Sequence, residues 1–252
     1  MRVLVTGLNG TLAPVLAGVL TERGDEVLGW DRAAVPPDDE TAALGYLDSA
    51  TPAAVCHLGL GSESWAGLLA QWSRDRGAPF LFTSTAMVFD HSPDGPHHVD
   101  DLRTARDDYG RYKIRCEDLI AEASKEAIIA RIGWQIGTRR GGNNMLEALH
   151  EMASDDGVID VSRRWVPACS FMEDTAVALA GLLDTRRAGV CHLDSNADDA
   201  LDFPTIVQSL SRRHGAGWLV RETNDYQHDQ RLIDEWDTMP SLARRLGLKP
   251  ES

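Results

Sequence analysis

The chain has 252 residues and a formal net charge of −14 at pH 7, from 25 basic and 39 acidic residues. This average charge repels phosphate backbones and anionic membranes, so neither nucleic acid nor a membrane is an expected partner. Hydrophobic residues make up 43% and charged residues 25%, which is the composition of a folded globular protein. The four cysteines are isolated, no apolar run approaches a membrane span, and the chain begins with a strand-like run, so we expect a cytoplasmic protein.

Apolar runs and helical periodicity alternate through the first half of the chain. The apolar runs predict strands at residues 2–6, 26–30, 53–58 and 79–83. The helical periodicity predicts helices at residues 12–23, 40–49 and 62–76, and a Pro- and Asp-rich loop is expected at 33–39. Such alternation indicates parallel strands joined by right-handed crossovers.

The second half of the chain continues the pattern less regularly. Helices are predicted at residues 106–122, 144–154, 174–183 and 203–213, and strands at 127–131, 190–193 and 218–222. Neither a linker nor an internal repeat separates the two halves. The predicted fold class is therefore α/β, a Rossmann-type doubly wound parallel sheet with a small C-terminal lobe.

The turn between the first strand and the first helix is glycine-rich and reads Thr6-Gly-Leu-Asn-Gly10-Thr-Leu-Ala13. Gly7 permits a tight turn, Gly10 allows close backbone approach, and Ala13 keeps the helix near the strand. The helix N-terminus supplies N–H groups for a pyrophosphate. A simple turn is the alternative, but the strand–turn–helix context favours dinucleotide binding.

Asp31 ends the second predicted strand, about twenty residues beyond the glycines, where a carboxylate would accept the adenosine ribose hydroxyls. That position favours NAD. Arg32 follows directly and would instead meet a 2′-phosphate, which leaves NADP open. An exposed Asp-Arg pair at a strand end, without a ligand, is the remaining alternative.

Tyr109 and Lys113 are four residues apart and therefore share one helix face. A nearby ammonium group lowers the pKa of a phenol and makes it a proton donor or acceptor near neutral pH. With four tyrosines and three lysines, such a pair arises by chance with a probability of about 5%, so an exposed helix pair is the weaker alternative. Tyr112 directly precedes Lys113, about 100° around the helix from it, and is not expected to share this face. Thr85 follows a buried strand, where its hydroxyl can bond a substrate carbonyl oxygen.

The sequence resembles the extended short-chain dehydrogenase/reductases and, among them, the dTDP-4-dehydrorhamnose reductase family. The strongest matching segments are the glycine-rich turn, Thr85-Ala-Met-Val-Phe-Asp90, Tyr109-Gly-Arg-Tyr-Lys113 with Glu117, and Arg131-Ile-Gly-Trp-Gln-Ile-Gly137. Weaker matches are 143–145, 166–168 ahead of 173–174, 189–193, Arg231 and 246–250. The resemblance implies an NAD(P)-binding Rossmann domain over residues 1–135, including the Tyr/Lys helix. It implies that residues 136–252 are mostly a small substrate-binding lobe interleaved with the last sheet strands.

The resemblance also implies a reaction and its residues. The reaction is reduction of a nucleotide-activated keto sugar by NAD or NADP, with NAD slightly preferred because of Asp31. Tyr109 would donate the proton, Thr85 would polarise the carbonyl, and Lys113 would bind the nicotinamide ribose. The implied cofactor contacts are Gly7, Asn9, Gly10, Thr11, Leu12, Asp31, Arg32, Leu58, Gly59, Tyr109 and Lys113. The implied substrate contacts are Thr85, Ala86, Met87, Trp134, Asn144 and Arg231, with a core aromatic as the alternative for Trp134.

Three departures from the family pattern carry further expectations. Ala86 and Met87 replace an Asp-Tyr pair of the reductases, so part of the sugar-facing wall has changed. Related dehydratases carry Asp-Glu at that place, and without it dehydration is not expected. Val15 stands near the position where some reductases have an acidic metal ligand, so no metal is expected.

Some alternatives stay open at this level. An NAD-dependent sugar-nucleotide epimerase uses the same tyrosine, and a non-catalytic NAD(P)-binding regulatory subunit would keep the fold. The oligomeric state is open, with a homodimer as one alternative. Arg139 and Arg140 are predicted to be a solvated loop, with a substrate diphosphate as the other reading. His97 and His98 are predicted to lie on a surface loop.

Overall fold

The computed structural model describes residues 1–138, 141–153, 157–235 and 239–249. Helices and strands alternate as the sequence predicts, and most predicted elements agree with the structure within two residues. The elements of the first half are β1 (Arg2–Thr6), α1 (Leu12–Glu22), β2 (Glu26–Gly29), α2 (Glu40–Ala50), β3 (Ala54–His57), α3 (Glu63–Asp75), β4 (Phe80–Thr85), a 3₁₀ turn (Ala86–Phe89), β5 (His97–His98) and α4 (Asp108–Ala123).

The second half contains more and shorter strands than the sequence predicts. Its elements are β6 (Ile128–Ile132), β7 (Trp134–Ile136), α5 (Met145–Met152), β8 (Val158–Ser162), β9 (Trp165–Val166), β10 (Cys169–Phe171), α6 (Met172–Thr185), β11 (Gly189–Leu193), α7 (Phe203–His214), β12 (Leu219–Thr223), β13 (His228–Asp229), β14 (Leu232–Ile233) and α8 (Leu242–Arg245). The predicted strand at 218–222 exists as β12, but it pairs with β8 in a separate two-stranded sheet.

A six-stranded sheet has the strand order β11-β6-β4-β3-β1-β2. The pairs β1–β2, β1–β3 and β3–β4 are parallel, which confirms the predicted α/β parallel sheet. Because the order reverses between β1 and β3, the carboxyl ends of these strands form the crevice where ligands of such sheets bind.

The chain divides into two compact units, and each unit contains several separate segments. The first unit contains residues 1–85, 107–131 and 176–191, and the second contains 86–106, 132–175 and 192–252. The assignment of cofactor binding to 1–135 and of substrate binding to 136–252 concerns function and stays a prediction.

Each unit has its own apolar core. In the first unit, the strands of the sheet pack against α3 and α4 through Trp65, Leu69, Phe80, Phe82 and Ile120. In the second unit, α5 and α7 pack on the short strands through Leu149, Phe171, Phe203, Val207 and Leu210. Among the described residues, no helix is long and apolar enough to cross a membrane.

Short polar side chains mark where most helices begin. Asp39, Ser62, Asp107, Asn144 and Asp202 precede α2, α3, α4, α5 and α7, and each accepts a main-chain N–H of the first turn. These bonds satisfy donors that the helix cannot satisfy itself. The cap at Asp107 determines where α4 starts and therefore which helix positions Tyr109 and Lys113 occupy.

The buried carboxylate of Asp194 joins three segments of the second unit. Its Oδ1 accepts the N–H groups of Cys169 and Asn196, each at 2.9 Å, and its Oδ2 accepts the N–H of Leu232 at 3.0 Å. Asp194 is 1% exposed, so water cannot replace these bonds if the carboxylate is removed.

We predict that Asp194→Ala lowers the free energy of unfolding by about 3 kcal/mol or more, because it leaves three buried N–H donors unsatisfied. Urea unfolding followed by far-UV circular dichroism measures the change. Asp198→Ala is the matched control, since Asp198 is exposed in the same loop and its loss should cost less than about 0.5 kcal/mol. Equal losses in the two variants would contradict the prediction.

Candidate functional site

The carboxyl ends of β1 and β3 approach each other at two glycines. Gly7 has a φ of +82°, and a Cβ placed on it would lie 2.8 Å from the main-chain nitrogen of Gly59. A Cβ on Gly59 would lie 3.2 Å from the Gly7 nitrogen. The close approach therefore excludes a side chain at Gly7 and leaves little room for one at Gly59, which is itself buried.

Thr6 holds these two strand ends together. Its Oγ1 accepts the N–H groups of Leu58 and Gly59 at 3.1 and 3.0 Å, and lies 2.8 Å from His57 Nδ1. With its acceptor capacity used in this way, the hydroxyl donates its proton to Nδ1, so His57 is neutral. Burial lowers the pKa of His57 to about 3, which agrees with this assignment.

The remaining predicted contacts of the glycine-rich turn lie just before α1. Asn9 and Gly10 are exposed in the turn, and Thr11 and Leu12 are half-buried at the start of the helix. The Gly10 N–H donates to the Gly7 carbonyl at 2.7 Å, which closes the turn. Thr11 makes no side-chain cap bond to α1, so this helix does not use the capping of the helices above. Its first N–H groups remain directed at the turn.

Asp31 and Arg32 follow β2 and are both exposed. The Asp31 carboxylate accepts the main-chain N–H of Ala33 at 2.9 Å. The Arg32 guanidinium donates to the Leu60 carbonyl and lies 5.2 Å from the ring centre of Trp65. This places the cation beside Gly59, because a Cβ on Gly59 would be 3.0 Å from Arg32 Nη2.

The structure brings together the three predicted catalytic residues. Thr85 is the last residue of β4, and its hydroxyl forms a hydrogen bond with the hydroxyl of Tyr109 on α4. Lys113 lies one turn further along α4, where its Nζ donates to the Thr83 carbonyl at 2.8 Å. The Nζ is 5.9 Å from the ring centre of Tyr109.

The titration of this group differs from the expectation that Lys113 lowers the pKa of Tyr109. Partial burial raises the pKa of Tyr109, and only the hydrogen bond with Thr85 opposes that rise to a noticeable degree. Burial also lowers the pKa of Lys113 to about 8. Tyr109 is therefore protonated at neutral pH and is available as a proton donor.

The polar contacts of two α4 residues were missed by the sequence reasoning. Glu117 is 3% exposed and forms a buried ion pair with Arg131 of β6, and Ser84 of β4 donates to the same carboxylate. Tyr112 accepts the Gly61 N–H through its hydroxyl at 3.2 Å, and its ring centre lies 5.7 Å from Lys113 Nζ, about as near as that of Tyr109. A charged residue at helical spacing from Tyr109 and Lys113 was the available signal for Glu117.

Trp134 belongs to the second unit and lies in an aromatic cluster. Its main-chain N–H donates to the Ala168 carbonyl at 2.8 Å. Its ring centre lies 6.0 Å from the ring centres of both Trp165 and Phe203, on which it stacks. The preceding Gly133 makes this approach possible, because a Cβ there would lie 2.3 Å from the Ala168 carbonyl. Trp134 is half-buried, so part of its surface stays open to solvent.

Asn144 and Arg231 have structural partners within the second unit. Asn144 caps α5, and its amide nitrogen also donates to the Gly141 carbonyl at 2.7 Å. Arg231 pairs with both carboxylate oxygens of Asp229 at 2.9 and 2.7 Å and donates to the Ala197 carbonyl at 2.9 Å. Their predicted contacts with substrate stay predictions.

Other predicted positions have mixed outcomes. Ala86 and Met87 form the start of the 3₁₀ turn after β4 and are half-buried. Arg139 and Arg140 lie outside the described residues. The expectation of a surface loop is wrong for His97, which is 4% exposed and stacks 4.5 Å from Phe89. Within the described ranges, no three His, Cys, Asp or Glu side chains are grouped to hold a metal ion.

Comparison with known proteins gives one family match and several relatives. The family model of the RmlD substrate binding domain matches residues 62–213, which is more than half of the chain. The chain belongs to this family. A dTDP-4-dehydrorhamnose reductase of Mycolicibacterium smegmatis is 25% identical over 200 residues, covering 73% of this chain and 60% of the relative. The match thus spans less than two thirds of the length of that reductase.

Solved structures show the same fold as this RmlD family member. The structure of dTDP-4-dehydrorhamnose reductase from Bacillus anthracis with NADP has a TM-score of 0.82 at 17% identity, covering 97% of this chain and 96% of that one. The Bordetella bronchiseptica enzyme WbmH with NAD⁺ has a TM-score of 0.74 at 20% identity, with coverage of 99% and 93%. The resemblance inferred from the sequence motifs is confirmed at the level of family and fold.

We predict that Gly7→Ala destabilises this RmlD family member more than Gly24→Ala does. Both glycines have a φ near +80°, so both variants carry backbone strain of about 1 kcal/mol. Only the Gly7 variant also forces a methyl group against Gly59, since nothing lies within 4 Å of a Cβ on Gly24. Urea unfolding of both variants measures the difference. Equal destabilisation would contradict the close approach of β1 and β3.

Proposed function

We propose that this chain is an NAD(P)-dependent reductase of a nucleotide-activated keto sugar, of the dTDP-4-dehydrorhamnose reductase type. The observation that carries the proposal is the Tyr109 hydroxyl bonded to the Thr85 hydroxyl, one helical turn from a buried lysine. The family match and the names of the relatives support the same reaction class. A reductase with the mechanism given below needs all three side chains, whereas a protein that only binds a nucleotide does not.

The residues at the ends of β1 and β3 fit a nicotinamide dinucleotide. Gly7 and Gly59 let the main chains of the two strand ends come close together, and α1 begins at the end of the turn. We assign the pyrophosphate to this turn because N–H groups at a helix N-terminus bind anions. The dinucleotide, when bound, supplies the hydride that reduces the carbonyl carbon of the sugar. Leu58, Gly59 and the residues from Gly7 to Leu12 would hold it.

The side chains of the first unit would handle the proton. Tyr109 donates its phenolic proton to the carbonyl oxygen of the substrate as that oxygen gains charge. Thr85 donates a hydrogen bond to the same oxygen and so polarises the carbonyl. Lys113 keeps a positive charge beside Tyr109, which favours the tyrosinate left after proton transfer, and it binds the nicotinamide ribose.

Asp31 and Arg32 set the proposed preference between the two nicotinamide cofactors. The Asp31 carboxylate is exposed and can accept ribose hydroxyls, which supports NAD. The Arg32 guanidinium is exposed beside Gly59 and can meet a 2′-phosphate, which supports NADP. We keep the slight preference for NAD as a proposal that the assay below tests with both cofactors.

The proposed substrate contacts in the second unit are Ala86, Met87, Trp134, Asn144 and Arg231. Trp134 is half-buried, and the exposed part of its ring would suit the apolar face of a sugar ring. Asn144 and Arg231 have part of their donors engaged by the protein, so their contribution to binding would come from the donors that remain.

The test of the proposed function is loss of reduced-nicotinamide absorbance when the protein meets a dTDP-4-keto-6-deoxy sugar with NADH or NADPH. We expect turnover with the wild type.

Tyr109→Phe should bind cofactor normally but lose at least about 10²-fold in kcat, because it lacks the proton donor. Turnover in the variant near the wild-type rate would remove Tyr109 from the mechanism. No turnover in a wild type that binds cofactor would contradict the substrate, and tightly copurifying NAD would favour the epimerase.

The pH dependence gives a second test. Burial lowers the pKa of Lys113 to about 8, so the cationic form present at neutral pH is lost as the pH rises through that value. We therefore expect kcat/KM to fall above about pH 8, because kcat/KM reports the free enzyme. Lys113→Arg should move this alkaline limb to higher pH, since a guanidinium stays charged. An identical limb in both proteins would exclude Lys113 as its origin.

A further inference from the structure

Glu117 is a buried carboxylate in the helix that carries the proposed catalytic residues. It lies one turn after Lys113 and two turns after Tyr109 on α4, and it is 3% exposed. A carboxylate at that depth is costly unless charged and polar partners surround it. Neither the proposed proton transfer nor the proposed cofactor contacts use it.

The partners of Glu117 come from two neighbouring strands. Arg131 of β6 donates from Nε to Oε1 at 3.0 Å and from Nη2 to Oε2 at 2.8 Å. Ser84 of β4 donates from Oγ to Oε1 at 2.5 Å. The two-point contact with a planar guanidinium restricts the carboxylate in rotation as well as in distance.

Three consecutive residues of β4 thus contact three residues of α4 that are spaced by four. The Thr83 carbonyl accepts from Lys113, Ser84 donates to Glu117, and Thr85 bonds to Tyr109. Residues spaced by four on a helix form one row, so a rotation or shift of α4 alters all three contacts together. Ser84 is the middle of the three strand residues. Its partner Glu117 is charged and also contacts Arg131 on β6.

We propose that Glu117 is a positioning residue that, through Ser84 and Arg131, sets the rotation and height of α4 against β4. It thereby determines where the Tyr109 hydroxyl and Lys113 Nζ stand relative to Thr85. The consequence for catalysis rests on the proposed function. The consequence for Lys113 can be measured without any turnover.

The charge of Glu117 also acts on Lys113. Burial lowers the pKa of Lys113, while the negative charge of Glu117 is among the groups that raise it. The other groups facing Lys113 are Tyr109, Tyr112 and Cys116 of its own helix, His57 of β3, and Arg131 behind Glu117. Loss of the Glu117 charge leaves the Arg131 cation uncompensated, so the pKa of Lys113 should fall further.

The first experiment is trace labelling of lysines with acetic anhydride across a pH range, in the ligand-free protein. The chain has only three lysines, so mass spectrometry can follow Lys113 separately from Lys125 and Lys249. We expect the midpoint for Lys113 to move to lower pH in Glu117→Gln, with the Lys125 and Lys249 profiles unchanged. Glu63→Gln is the matched control, because Glu63 pairs with Arg115 on the exposed side of α4. It should not move the midpoint.

The second experiment separates positioning from charge and from folding. Glu117→Asp keeps the charge but withdraws the carboxylate, and Ser84→Ala keeps the ion pair but removes the strand contact. We expect each to lower kcat about tenfold or more with little change in KM, because small misplacements of reacting groups are costly. The alkaline limb should stay in place in both variants and should move to lower pH only in Glu117→Gln.

The outcomes separate this inference from the proposed function. An unmoved Lys113 midpoint in folded Glu117→Gln, or kcat at the wild-type level in both Glu117→Asp and Ser84→Ala, would overturn the positioning role. If Glu117→Gln does not fold, the Ser84→Ala and Glu117→Asp rates decide. Absence of turnover in the wild type would contradict the proposed function but not the positioning role, because the labelling experiment still tests the effect of Glu117 on Lys113.

Discussion

The close approach of two backbones at the ends of β1 and β3 is the constraint on which the rest of the first unit depends. A side chain on Gly7 would prevent this approach, and one on Gly59 would lie only 3.2 Å from the Gly7 nitrogen. Thr6 holds them with one oxygen that serves two N–H donors and a buried histidine. The contact itself is between main-chain atoms, and the Arg32 guanidinium lies beside it.

The opposite wall of the same unit is built in another way. There α4 packs on the sheet through apolar side chains such as Ile120 and, in addition, through the buried ion pair of Glu117 with Arg131. A hydrophobic contact between helix and strand would tolerate small rotations, because it has no preferred direction. The pairing of Glu117 with Arg131 is directional, and this explains why a costly buried charge accompanies groups whose separation matters.

The sequence predicts the central sheet well and the smaller sheets poorly, for a physical reason. Strands such as β1 and β3 are buried on both faces and appear as continuous apolar runs. The strands β13 and β14 have two residues each, which is too few to show the alternation of apolar and polar residues typical of a strand. Their positions depend on distant partners in β9 and β5, which no local pattern reveals.

The sequence likewise predicts one part of the candidate site and not the rest. The spacing of Tyr109 and Lys113 on one helix could be read directly, and the structure places Thr85 against Tyr109. The direction of the shift in the Tyr109 pKa could not be predicted from the sequence, because it depends on how deeply the hydroxyl is buried. The salt bridge between Arg231 and Asp229 could not be predicted either, because the surrounding strands determine the geometry of the two residues.

The order of strands has a consequence for synthesis of the chain on the ribosome. The outermost strand β11 lies next to β6 in the sheet, yet more than fifty residues of chain separate β6 from β11. Until residues 189–193 have emerged, β6 is an open edge with unpaired main-chain donors and acceptors. The nascent sheet therefore passes through a period in which the β6 edge can pair with other chains, and β11 covers that edge only after residues 86–106 and 132–175 of the second unit have been made.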